Sequence, residues 1–81
     1  SADHGVVVSA IESNTPAHRS DLRVGDVIME VNHRNVESVS DFENLIAAAK
    51  RDYEENDNNI ILIYVLSRDG VNRYMTINLA E

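Results

Sequence analysis

Apolar residues along this chain of 81 residues switch between two spacings, and each switch marks an element. After a short polar start, Gly5 opens Val6-Val7-Val8-Ser9-Ala10-Ile11, a β-branched run that predicts a strand buried on both faces or nearly so. The stretch Thr15–Asn32, TPAHRSDLRVGDVIMEVN, then packs three signals together. Thr15 can cap a helix with its hydroxyl, and Pro16 suits the first helical position, where its missing N–H costs nothing. That short helix runs only to about Ser20, with Asp21 expected in the left-handed stop that glycine usually fills. Leu22 folds back on it, and Gly25-Asp26 turns the chain into Val27–Val31. Period two places Val27, Met29 and Val31 on one face of that strand. Asn32–Asn35 reads as a tight polar turn, with Val36-Glu37 at most a brief strand.

The spacing changes at Ser38. Ser38 and Asp41 fit a capping box. Val39, Phe42, Leu45, Ile46 and Ala49 form one apolar stripe, which predicts a helix through Lys50 to about Tyr53 or Glu54. A polar loop over 54–59 leads to Ile60–Leu66, IILIYVL, too short for a lone buried helix and therefore the expected central strand. Asp69-Gly70 is a hairpin signal. The returning strand, Val71–Leu79, alternates, with Met75, Ile77 and Leu79 inward and Tyr74, Thr76 and Asn78 outward. The order β–short α–β–(short β)–long α–β–β predicts a single small α+β domain over residues 1–81. Its sheet is mostly antiparallel, with one long and one short helix.

Composition narrows the chemistry. A formal charge of −7 opposes nucleic-acid binding, which needs clustered Lys and Arg, and fits a solvated acidic surface or else a bias toward basic or neutral partners. With no cysteine there is no disulfide, thiolate zinc site or thiol nucleophile. His4, His18 and His33 lack metal-binding spacing, and Gly5, Gly25 and Gly70 sit in separate turns rather than in a phosphate loop. No G-x-S-x-G elbow occurs, and no apolar run approaches the ~20 residues of a membrane span. The expectation is a non-catalytic chain with no cofactor and no metal.

Thr15-Pro16-Ala17, Ser20-Asp21-Leu22, Gly25-Asp26-Val27-Ile28 and Val31-Asn32 resemble, in order and spacing, the PDZ-domain pattern of bacterial envelope proteases. Ser20-Asp21 stands where the family usually has Ala-Gly. Gly5-Val6-Val7-Val8, Ser38–Phe42, and Ile60–Ile63 followed by Arg68-Asp69-Gly70 extend the resemblance over nearly the whole chain. It is strongest toward the C-terminal, second PDZ domain of Do-like (HtrA-type) periplasmic serine proteases. PDZ domains of C-terminal processing proteases and site-2 proteases are the alternatives. The resemblance implies a circularly permuted PDZ fold, a periplasmic location and a parent serine endopeptidase active in protein quality control. It implies as partners unfolded or C-terminal peptide segments, the parent's own protease domain, and other subunits.

In such domains an extended peptide adds as a strand to a sheet edge beside the long helix, here 38–54. The resemblance maps the groove onto Val39, Glu43 and Ile46. Ile46 would line the pocket for a terminal apolar side chain. Val39 and Glu43 would meet a residue further back, Glu43 favouring a basic or hydroxyl-bearing one. The same positions also fit a plainer reading, with Val39 and Ile46 in the core and Glu43 on a solvated face. The x-Φ-G-Φ loop that cradles a carboxylate has no match. In the family it lies upstream of the Gly5–Val8 strand, so the resemblance implies a domain lacking that loop and its strand. The edge at Val6–Ile11 is then expected to be open to strand-mediated self-association. A structural role in oligomer assembly or regulation of the parent is the alternative function.

Overall fold

A computed structural model of the chain describes residues 4–11 and 20–80. Its strands are β1 (Val6–Val7), β2 (Val27–Val31), β3 (Arg34–Asn35), β4 (Ile60–Leu66) and β5 (Asn72–Asn78); the helix α1 spans Val39–Asn56. The strands pair antiparallel throughout, in the order β1-β2-β4-β5 with β3 also on β2. This is the expected α+β arrangement. The short helix expected from Pro16 lies outside the described residues.

β4 has partners on both sides, which suits its unbroken apolar sequence. Ile61, Ile63 and Val65 turn into the core, while Leu62, Tyr64 and Leu66 are half-buried on the other face. Met75 and Ile77 of β5 and Ala49 of α1 close the same core, with Phe42, Leu45 and Ile46 packed at its margin. Leu79, expected inside, is half-buried against it.

Three local expectations are corrected. In β2 the buried residues are Ile28 and Val31, so Val27, Met29 and Val31 do not line one face as period two predicts. The register with β4 shifts between Ile28 and Glu30, pairing Ile28 with Val65 and Glu30 with Tyr64. Met29 is the extra residue of a bulge, so strict alternation fails across it. In β1 only Val6 and Val7 pair, and Val7 is exposed, so the run is not buried on both faces. The brief strand after β2 is Arg34–Asn35 rather than Val36-Glu37. Asn32 and His33, both at positive φ (50° and 67°), make the two-residue turn that reverses the chain. Val36 is wholly buried, its N–H donating to the Met29 carbonyl at 2.9 Å.

Asp21 does not take the left-handed conformation expected of it. Among the described residues the non-glycine positions at positive φ are Asn32, His33 and Asp57. Ser38 caps the start of α1 by accepting from Asp41 N–H at 3.1 Å, while Asp41 Oδ2 accepts from Glu37 N–H at 3.2 Å. The helix passes Glu54 and stops at Asp57 (φ 59°, ψ 22°), whose N–H donates to Tyr53 O. No basic residue occupies the last turn, so Glu54, Glu55 and Asp57 all oppose the helix dipole. Asn58 and Asn56 brace the end by donating to the two carboxylate oxygens of Asp52, each at 2.7 Å, and hold that carboxyl below its ordinary range.

Asp57→Gly should therefore stabilise the domain by about 1 kcal/mol, by removing both left-handed strain and an unfavourable charge. Asp57→Asn should recover only the charge part, and Asp57→Ala should melt below Asp57→Gly. Thermal unfolding of the three variants checks the order. An Asp57→Gly protein that melts below the parent would refute it.

Candidate functional site

The site is built on the rim of α1. Because Ser38 fixes where the helix begins, Val39, Glu43 and Ile46 fall at i, i+4 and i+7 and share one lane along its side. The lane leaves the core at its N-terminal end. Val39 is 62% exposed, Glu43 is exposed, and Ile46 is half-buried against the core cluster. Val39 is therefore not a core residue despite its place in the apolar stripe. Ile46 serves the core margin and the lane together.

α1 packs on β2, and β2 is the neighbour of β1 at one end of the sheet. Among the described residues, β1 pairs on one side only, and Val7 is 65% exposed. The open strand edge and the helix that carries the lane thus both adjoin β2. Strand addition in general needs backbone groups to pair and a helix wall to meet alternate side chains. The other side of the helix start borders a polar hollow of about 510 Å³ lined by His33, Arg34, Asn35, Asp41, Asn44 and Leu45.

Among the described residues, no three His, Cys, Asp or Glu side chains are grouped so as to hold a metal ion. No helix among them is long and apolar enough to cross a membrane. Two further constellations were not visible in the sequence. Tyr64 and Tyr74 are a cross-strand pair on the outward face, centroids 4.7 Å apart, with His33 6.2 Å from Tyr74. At the turn before β2, the β4–β5 hairpin brings Arg68 and Arg73 beside Arg23. Its one advance sign is that Arg68 and Arg73 flank the Asp69-Gly70 turn.

The framework is a capped helix packed on an antiparallel sheet, with β1 paired on one side among the described residues. A family model described as PDZ domain matches residues 1–57. The chain belongs to the PDZ-domain family, a class of peptide-binding modules that are not themselves catalytic. It is also similar to a protein named "Probable periplasmic serine endoprotease DegP-like" from Buchnera aphidicola subsp. Baizongia pistaciae (strain Bp), with 40% identity over 42 residues. That match covers 52% of this chain and 9% of the relative. It agrees with the resemblance to PDZ domains of HtrA-type proteases seen in the sequence.

Proposed function

We propose that this domain is the peptide-recognition module of a periplasmic, HtrA-type serine endoprotease. It receives extended or C-terminal hydrophobic segments of unfolded proteins as an added strand beside α1, and leaves cleavage to another domain of the parent. The name of the DegP-like relative supports the location and the parent activity. The observation that carries the binding mode is the exposure of Val39 on an otherwise core-facing stripe. A large apolar side chain held out at the start of a capped helix, in line with Glu43 and Ile46, is what a groove wall needs. Val39 would contact a ligand side chain set back from the terminus, Glu43 would favour a basic or hydroxyl-bearing neighbour, and Ile46 would floor the terminal apolar pocket.

Fluorescence anisotropy with labelled peptides ending in an apolar residue tests the reading. Saturable binding is expected, weakened about tenfold by Val39→Asp, equivalent to about 1.4 kcal/mol. Because Val39 is exposed, the variant should melt with the parent. Glu43→Lys should shift preference from basic toward acidic ligand residues. A parent chain that binds no apolar-ended or extended peptide, or a Val39→Asp chain that binds as the parent does, defeats the assignment.

A further inference from the structure

At the end of the sheet where the β4–β5 hairpin meets the turn before β2, Arg23, Asp26, Ser67, Arg68, Asp69 and Arg73 line a pocket of about 450 Å³. The whole chain has seven Lys and Arg against fourteen Asp and Glu. Gathering three of those seven cations in one hollow reverses the sign of the surface locally.

Each arginine is placed by a separate feature of the fold. The Arg68 stem lies against Gly25 so closely that a Cβ there would sit 2.4 Å from Arg68 Cδ. Arg23 is fixed through its backbone, its N–H donating to Asp26 Oδ2 at 2.9 Å and its carbonyl accepting from Asp26 N–H at 3.1 Å. Arg73 pairs with Val65, a core residue, so by strand alternation it sits on the core side of β5 at the open end of the sheet.

The carboxylates already present are engaged elsewhere. Asp26 is 2% exposed and spends Oδ2 on the Arg23 backbone. Asp69 accepts from the Ser67 hydroxyl, which does most to hold its carboxyl below the ordinary range; the Arg73 charge adds the smallest share. None of the three guanidinium groups makes a hydrogen bond or ion pair among the described residues. The pocket therefore keeps a small positive excess and three planar forks with open donors, which suit a carboxylate's two oxygens.

We propose that this pocket is a second recognition site, which takes the carboxylate of an Asp or Glu side chain from an acidic polypeptide segment. It shares no residue with the Val39–Glu43–Ile46 lane. A single side-chain carboxylate fits better than an extended polyanion. It meets the guanidinium groups at contact while the distant acidic surface is screened beyond about 8–10 Å. A phosphate-bearing membrane face would confront the charge of −7 as a whole.

The test follows the arginine Nε–Hε and the Gly25 and Gly70 amide NMR signals of the chain during titration. The probes are acetyl-Glu-Glu-amide, neutral acetyl-Gln-Gln-amide, inorganic phosphate, and phosphatidylglycerol vesicles. Saturable shifts with acetyl-Glu-Glu-amide alone are expected, weaker at higher salt. Arg68→Gln and Arg73→Gln should each weaken them about two- to fivefold, the range of an exposed ion pair. Lys50→Gln, Arg51→Gln and Val39→Asp should leave them unchanged. The proposal is overturned by equal response to the glutamine peptide, by equal loss in the Lys50 and Arg51 variants, or by tighter binding of phosphate or vesicles.

Discussion

Ile63→Ala is expected to cost about 2–5 kcal/mol, against a total stability of about 4–12 kcal/mol for a domain of this size. Ile63 is 0% exposed at the middle of β4, paired with Val31 on one side and Met75 on the other. Both neighbours are buried and are held in register by strand pairing directly opposite Ile63, so the walls of the new cavity cannot easily close on it. The cost should therefore lie in the upper part of the range. Ile60, at the end of the same strand and 38% exposed, is the matched control, for which alanine should cost less than about 1 kcal/mol. Urea unfolding with a slope near ~1 kcal/mol/M would show the Ile63→Ala midpoint lowered by at least about 2 M, or no folded baseline at all. A drop smaller than that of Ile60→Ala would mean that β4 is not the centre of the core.

The same strand shows how far the sequence can be read. Its uninterrupted apolar run identified a central strand, yet for that reason could not say which face turns inward, since every position qualifies. β2 fails differently. Nothing in Val27–Val31 marks Met29 as an inserted residue, because a bulge is defined by the partner's register, and the partner is some thirty residues away in the chain. Asp21, expected to end the short helix in the left-handed region, is not at positive φ, whereas at the end of the other helix, α1, an aspartate does take that conformation. Residues 54–59 offer several side chains that tolerate positive φ, and the length of α1 decides that Asp57 is the one used. In the candidate groove, periodicity found the stripe but not the point where it leaves the core, so Val39 looked equivalent to Ala49. Of the arginine pocket the sequence showed only Arg68 and Arg73 flanking the Asp69-Gly70 turn, because Arg23 joins them only through the folding of the sheet.

Gly25→Ala is the second large effect, expected at about 2–4 kcal/mol, and it joins stability to the arginine pocket. Two costs combine. Gly25 has φ +98°, a conformation an alanine holds only at about 1–3 kcal/mol. Its Cβ would also strike the Arg68 stem, at 2.4 Å from Cδ and 2.7 Å from Cγ. Gly70 separates the two, since it has φ +86° with nothing within 4 Å of an added Cβ; Gly70→Ala should show backbone strain alone. The steric share can be removed from the other side. Arg68→Ala should be nearly neutral by itself, and in combination with Gly25→Ala should return about 1 kcal/mol, a coupling that calorimetric melts of the four proteins can resolve. Additive costs would mean that Arg68 swings away freely and is not held by Gly25. The turn has a further dependent, because Gly25 N–H donates to Val8 O and Asp26 O accepts from Val8 N–H, both at 2.8 Å. A strained Gly25 therefore loosens the chain just beyond β1 together with Arg68. Gly25→Ala should weaken acetyl-Glu-Glu-amide binding although every guanidinium is still present, because what it removes is their placement.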